Sequence, residues 1–391
     1  MMINGYVHPD FAGAVQAFSK EFVGEEMGGA SLAVMHKDEM VVDVWTGLAD
    51  TAGRPWERDT LAMCFSTTKG VTSMALHLLV DRGLVSYEEP VATYWPEFGQ
   101  NGKENITIRE LMTHRAGLHQ VRGLVSDVRQ LLDSEAMIKM LAACPPDPRR
   151  TETSGYHAIS YGWLVAEVVK RVTGQSLTDF VRHELAGPLG CDGLYIGAPL
   201  TERHRIAPLA PVPTETERAK AKRLAERLSR FRAMKPFVDA LLVDDFDLLF
   251  TDTGSPLADT EMGAVNGFFT ARSLATMYAI LANGGEVAGR RYLSQATVDD
   301  LTRTQVRTRD YVLKIPMRWR TGYHRAFTTG RQPKAGLGHF GYGGSGAWAD
   351  PLTGMSVALT LNKLAISTPV ADVRLAKIGG AALDAAQQRQ G

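Results

Sequence analysis

Ser66 and Lys69 stand three positions apart in Cys64-Phe65-Ser66-Thr67-Thr68-Lys69-Gly70, just ahead of a helical stretch from Val71 to Val80. Side chains three apart on a helix share a face, so the ammonium can sit beside the hydroxyl. A serine hydroxyl is a weak nucleophile at neutral pH until a neighbour helps to remove its proton. This spacing supplies the neighbour, and the helix N-terminus adds a positive dipole end near any developing negative charge. Such a pair suits attack on a carbonyl. The tetrapeptide by itself recurs in many chains as a solvated serine and a surface lysine, so other residues must carry the reading.

Two later stretches do so. Tyr156 stands in Gly155-Tyr156-His157-Ala158-Ile159-Ser160-Tyr161-Gly162, after a proline-rich loop and before a helix. A phenol beside an ammonium loses its proton more readily, because the opposite charge favours the phenolate. It would then take the proton of Ser66 and pass it to a leaving group. Spacing leaves Tyr161 equally eligible. The second stretch is Gly338-His339-Phe340-Gly341-Tyr342-Gly343-Gly344-Ser345-Gly346, whose glycines permit close approach of a ligand to a strand. Acyl transfer needs N–H donors aimed at the oxyanion, and loss of one costs about 3 kcal/mol. The candidates are the backbone N–H groups of Ser66 and of Tyr342, the latter on a strand edge. His339, Phe340, Gly341 and Tyr342 are the candidate substrate-binding residues. His114, in Thr113-His114-Arg115-Ala116-Gly117-Leu118, either takes part in the chemistry or pins a turn near it, and His119 is similar.

The elements that must position these groups follow from periodicity. Phe11 to Phe22 repeats apolar residues at helical intervals, and 30–36 and 40–47 read as two strands of a hairpin. Thr107 and Glu110 have the spacing of a capping box. Helices are expected over 126–141, 160–172, 215–232, 271–282 and 370–387, and a second hairpin from 341–350 and 355–361. Hairpins near both ends with helices between them imply an α/β (α+β) fold: an antiparallel sheet flanked by the first and last helices. Residues 1–60 and 325–391 would form the sheet lobe and 61–324 a mostly helical lobe. Within the latter, 201–260 reads equally as a wall of the cleft or as a surface helix with its own small contact. Phe231, Phe237, Leu241, Leu242, Phe246, Leu248, Leu249 and Phe250 are its apolar candidates for a substrate wall.

Composition narrows the function classes. The 391 residues carry 43 Lys plus Arg against 43 Asp plus Glu, a balance unlike that of a nucleic-acid binder. Arg149-Arg150 and the basic residues between 218 and 235 read as solvated helix faces. Three scattered cysteines, Cys64, Cys144 and Cys191, fit a reducing compartment rather than a disulfide framework. No basic start with an apolar run marks an export signal, and no window reaches the roughly 18 apolar residues of a membrane span. A cytoplasmic protein is expected. Asp244, Asp245 and Asp247 lack the calcium-loop pattern, so neither metal nor cofactor is expected.

With these residues assembled, the chain resembles the serine β-lactamase and penicillin-binding protein superfamily, in particular class C β-lactamases and the family VIII carboxylesterases built on that fold. The family's Ser-x-x-Lys matches Ser66-Thr67-Thr68-Lys69, its Tyr-x-Asn falls on Tyr156-His157-Ala158, and its Lys-Thr-Gly on His339-Phe340-Gly341. Leu111 to Leu118 is similar to its Leu-Leu-x-His-x-Ser-Gly-Leu turn, and Asp350-Pro351 to the turn after its site strand. The resemblance spans roughly 12–388 and implies a β-lactamase/transpeptidase-like fold, with Ser66, Lys69 and Tyr156, rather than Tyr161, as the catalytic set. Ala158 lacks the side-chain amide that the family offers a β-lactam, and His339 replaces a permanent cation with a group largely neutral near pH 7. Both departures point away from an efficient β-lactamase and are compatible with an esterase acting on small neutral esters. The other readings are a β-lactamase or D-peptidase-like hydrolase, an acyltransferase, and a non-catalytic binding protein.

Overall fold

Two hairpins, one near each end of the chain, meet edge to edge and create the sheet that carries the rest. Gly29–His36 and Glu39–Gly47 pair through a turn at Lys37, whose φ is 57°. Gly346–Asp350 and Met355–Leu361 form the second hairpin. Met355–Leu361 then lies against Gly29–His36, in register from Met355↔His36 to Leu361↔Ala30. Among the described residues nine strands make this sheet, every neighbouring pair antiparallel. Their order is Asn4–Val7, Glu39–Gly47, Gly29–His36, Met355–Leu361, Gly346–Asp350, Leu337–Phe340, Tyr323–Arg325, Pro316–Arg320 and Val306–Arg309. The computed structural model describes residues 2–22, 28–209, 214–249, 255–364 and 372–389.

Alternation along each strand decides which face a residue serves. Leu32, Val34, Trp348, Val357 and Leu359 join one core with Phe11 and Phe18 at the first helix, Ala12–Phe22, and with Leu375, Ile378 and Leu383 of the last, Arg374–Gln388. The intervening Ala33, Ala347, Ala349 and Ala358 belong to the other core. Their small side chains let the helix Ala271–Ala282 lie close, and Ser356 Oγ donates to the Ala275 carbonyl at 2.7 Å.

Ser66 is presented from a second, four-stranded sheet. Leu61–Met63 sits inside it, antiparallel to Gly267–Phe269 and parallel to Ile206–Ala207. A single turn, Phe65–Thr67, then feeds the helix Thr68–Asp81, which is buried along most of its length. The capping box of Thr107 and Glu110 is present at Ile108–Met112.

Several expected boundaries are corrected. No strand runs through 341–345: the chain leaves the sheet after Phe340, turns through Tyr342–Gly344, and re-enters at Gly346. Gly343 and Gly344, with φ of 78° and 113°, make that turn possible. The large sheet also takes in Val306–Arg309, Pro316–Arg320 and Tyr323–Arg325, most of which lies inside the 61–324 stretch expected to be helical. Residues 126–141 are not one helix, because Asp133 ends the short turn Val128–Leu132 and caps Ser134–Ala143 by accepting from Ala136 N–H. The charged helix of the insertion ends earlier than expected, as Glu215–Ser229. Phe250, Val370 and Ala371 lie outside the described residues.

Candidate active site

The bend that presents Ser66 is made by its neighbour. Phe65 has a φ of 43°, a region that a bulky residue adopts only when its surroundings hold it there. Those surroundings are specific: Cys64 N–H donates to the Gly267 carbonyl at 2.8 Å, Gly267 N–H donates to Thr68 Oγ1 at 2.9 Å, and Thr68 Oγ1 donates to the Phe65 carbonyl at 2.5 Å. Cys64 is fully buried, and burial pushes its thiol pKa upward, as expected for a structural cysteine.

Lys69 follows one helical turn later and is fully buried. Its Nζ lies 3.0 Å from Ser66 Oγ and donates to the carbonyls of Ala158 at 2.7 Å and Ala264 at 3.1 Å. Among the described residues it makes no ion pair, and burial lowers its pKa well below the ordinary lysine value. An unprotonated amine keeps two N–H groups for the two carbonyls, with its lone pair left for Ser66. Tyr156 completes the contact, its hydroxyl donating to Ser66 Oγ at 2.9 Å. Tyr161 is excluded from it, because its hydroxyl meets Ser73 Oγ at 2.7 Å and Met112 Sδ at 3.2 Å instead.

One element of the sequence reasoning is overturned. Lys69 Nζ stands 5.0 Å from the centre of the Tyr156 ring, yet the phenol pKa is raised rather than lowered. Burial is the largest cause and outweighs the hydrogen bond to Ser66. With Lys69 itself driven toward neutrality, there is little positive charge to favour a phenolate.

Sequence reasoning also missed Asp310. Its buried carboxylate accepts from the N–H groups of Tyr156 at 3.1 Å, Val312 at 2.9 Å and Leu313 at 3.0 Å, and from Ser154 Oγ at 2.8 Å. Trp319 Nε1 points at it from 3.3 Å, and the Trp319 indole lies parallel to the Tyr156 ring with 5.6 Å between centroids. No motif marks this aspartate; an acid followed by a turn, in a chain whose tyrosine needs anchoring, is the only signal. His114 proves to be a turn residue with a φ of 60°, accepting the His157 N–H at Nδ1 and packing its ring 4.9 Å from that of Tyr156. His119 meets the Tyr311 hydroxyl at 3.1 Å.

The site strand Leu337–Phe340 brings His339 beside Tyr156, with ring centroids 6.1 Å apart. His339 Nδ1 is 3.0 Å from the Phe340 carbonyl, which can only accept, so the neutral ring carries its proton there. Burial, then His324 and Lys69, keep its pKa well below the usual histidine value. Gly341 is required by close approach, since a Cβ there would run into the Cys64 carbonyl and the Ser345 hydroxyl. Ser345 Oγ donates to that same carbonyl at 3.0 Å, tying the turn to the segment that carries Ser66. Tyr342 begins the turn rather than lying on a strand edge, a correction to the expected source of its N–H. Ser66 and Tyr342 each stand in the first residues of a short helical turn, where N–H groups have no partner within the turn. Among the described residues neither finds another acceptor.

Two cavities meet at Ser66, Leu241 and Tyr342. One, of about 430 Å³, is lined by Tyr156, Trp319, His339, Phe340 and Gly341, and by the arginines Arg318 and Arg325. The other, of about 340 Å³, runs past Ala158, Ile159 and Val265 to the insertion, where Ala221, Ala225 and Phe246 close it. Of the expected apolar wall, Leu241, Leu242 and Phe246 line this cavity. Phe231 and Leu248 face solvent and Leu249 is in the core. Trp348 lies in the core beneath the terminal helices, on the far side of the sheet. Asp244 and Asp247 are paired with Arg122 and Arg218. Among the described residues no helix is long and apolar enough to cross a membrane.

The fold and this arrangement define a serine-centred member of the penicillin-recognising architecture, and the chain belongs to the beta-lactamase family, which matches it over residues 14–379. It is 42% identical over 368 residues to the esterase/beta-lactamase LipL of Mycobacterium tuberculosis, covering 92% of this chain and 83% of that one. A penicillin-binding protein homolog from Caulobacter crescentus superposes with a TM-score of 0.86 at 32% identity, covering 98% of this chain and 100% of the other. A family VIII carboxylesterase does so with 0.83 at 31% identity, covering 99% and 100%.

Proposed function

We propose that the protein is a serine carboxylesterase that cleaves short- to medium-chain carboxylic esters through an acyl-enzyme on Ser66. The observation that carries this reading is the double contact on Ser66 Oγ, from Lys69 at 3.0 Å and Tyr156 at 2.9 Å, where two cavities join. The preference for esters is supported by the names of the relatives above, and by Ala158 and the neutral His339.

Lys69 enters the reaction unprotonated. As Ser66 Oγ attacks the ester carbonyl carbon, its proton passes to the Lys69 lone pair. The N–H groups of Ser66 and Tyr342 receive the oxyanion. Collapse breaks the bond to the alcohol oxygen, and the Tyr156 hydroxyl protonates the departing alkoxide. The proton on Lys69 restores the phenol. Water then repeats the sequence in reverse on the acyl-enzyme, releasing the acid and Ser66. Because Tyr156 lines the 430 Å³ cavity and not the other, the alcohol portion occupies that cavity and the acyl chain the one walled by Ala158 and Leu241. Each acyl methylene buried there gains about 0.8 kcal/mol until the chain outgrows the space.

Intact-mass analysis after brief exposure to an activated aryl phosphonate tests the assignment. One adduct on Ser66 is expected, with none in Ser66→Ala. Values of kcat/KM for an acyl-chain series, measured beside a chromogenic cephalosporin, test the preference. Equal labelling of Ser66→Ala with retained ester hydrolysis refutes the nucleophile, and a cephalosporin value above the best ester refutes the esterase reading.

A further inference from the structure

The helix Glu215–Ser229 has an unusual position for so polar an element. Of its residues only Ala225 is buried, and between 215 and 232 the chain carries seven basic residues against three acidic. Its inward face lines the 340 Å³ cavity through Arg218, Ala221 and Ala225. At 3.6 residues per turn, Lys220, Arg223 and Arg227 fall together on the opposite, outward face. Among the described residues none of these three makes an ion pair, whereas Arg218 on the inward side is paired with Asp247. Beside this basic stripe Leu224 is 55% exposed, and just past the helix end Phe231, between Arg230 and Arg232, is 57% exposed.

A solvated helix face gains nothing from a bare leucine and phenylalanine set among unpaired cations. An anionic lipid surface meets both: the headgroups take the cations and the interfacial region takes the apolar side chains. We propose that this outward face docks the protein on anionic bilayer surfaces, as a peripheral contact rather than a span. Docking there brings the cavity behind the helix to the lipid surface, where poorly soluble acyl esters concentrate. Nucleic acid would satisfy the cations but leave Leu224 and Phe231 in water.

Co-sedimentation with vesicles tests the surface independently of the chemistry at Ser66, because it can be run on the Ser66→Ala protein. Vesicles of phosphatidylglycerol mixed with phosphatidylcholine are expected to bind it, and phosphatidylcholine alone to bind it poorly. The triple variant Lys220→Gln, Arg223→Gln, Arg227→Gln should weaken binding roughly a hundredfold. Leu224→Ser with Phe231→Ser should weaken it on the same vesicles at raised salt, where the electrostatic share is screened. Neither set touches the residues that line the cavities, so hydrolysis of a soluble aryl ester should be unchanged, and that activity also shows that the variants are folded. Absence of binding to the mixed vesicles, equal binding to phosphatidylcholine, or binding indifferent to both variant sets overturns the proposal. So does duplex DNA binding of equal strength that is lost with the triple variant and kept in the double one.

Discussion

The main-chain N–H of Tyr156 donates to Oδ1 of Asp310 at 3.1 Å, across a separation of 154 residues in the chain. The same carboxylate takes the Trp319 indole that lies flat against the Tyr156 ring. Asp310 thus holds the phenol from behind and from beneath without touching Ser66.

Asp310→Asn turns one accepting oxygen into a donor aimed at groups that are themselves donors. The expected result is a kcat lower by about a hundredfold, the scale of a displacement of about 1 Å in a reacting group. KM for short esters should change little, since Asp310 lines neither cavity. Steady-state kinetics decide the matter: a rise in KM at unchanged kcat would show that Asp310 only supports the fold.

The pH profile reports Lys69. In the proposed mechanism the amine acts when unprotonated, and burial places its folded pKa well below 10.5. Activity should therefore be lost as pH falls through that lowered value and reach its plateau below pH 10. The Tyr156 pKa is raised above 10.0, so the phenol adds no descending limb in that range. Lys69→Arg, which stays protonated, should lose about a thousandfold in kcat/KM. An ascending limb centred near 10.5 would contradict the assignment of Lys69 as the base.

Ala158→Leu tests which cavity holds the acyl chain. The larger side chain intrudes on the 340 Å³ space only. Hexanoyl and longer esters should lose at least about tenfold relative to acetyl esters, while a series varied in the alcohol keeps its order. A changed order among alcohols, with acyl preference intact, would exchange the two assignments.

Gly341→Ala places a methyl group against the Cys64 carbonyl, one residue from the nucleophile bend. Thermal or urea unfolding should show a loss of about 1–3 kcal/mol, as overpacking does elsewhere. Ester hydrolysis should fall further than stability alone explains, because Ser345 and Cys64 are displaced together. A variant with wild-type activity would mean that the turn yields without moving Ser66.

What could be read from the sequence depended on how local each signal was. Ser66 and Lys69 were legible because helical spacing alone brings them together, and the terminal hairpins because alternation in Leu32-Ala33-Val34 and Val357-Ala358-Leu359 is strict. Tyr156 lies in the loop just ahead of the helix Ser160–Thr173 and Tyr161 in its first turn, so both suit a contact with Ser66; only the tertiary fold turns one toward Ser66 and the other toward Ser73. Asp310 was invisible because three of its partners are backbone N–H groups, which leave no trace in residue type, and Ser154 reaches it from 156 residues away. The edge strand Val306–Arg309 and its inner neighbour Pro316–Arg320 are short and rich in arginine, without the apolar runs that mark the terminal hairpins. The proposed phenolate failed for a different reason. Proximity to a lysine was legible, but burial, which lowers that lysine's affinity for a proton, was not.

The three groups around Lys69 Nζ come from distant parts of the chain, Ser66 beside it, Ala158 after the proline-rich loop and Ala264 ahead of the strand Gly267–Phe269. Until all three close around it the amine is hydrated and holds its proton at neutral pH. On the proposed mechanism a partly folded or newly synthesised chain carries a serine without a base, and its hydroxyl is chemically silent toward esters. Reactivity would then arrive with the last segment to be seated, and a protein that opens locally would switch itself off before its serine could be acylated at random.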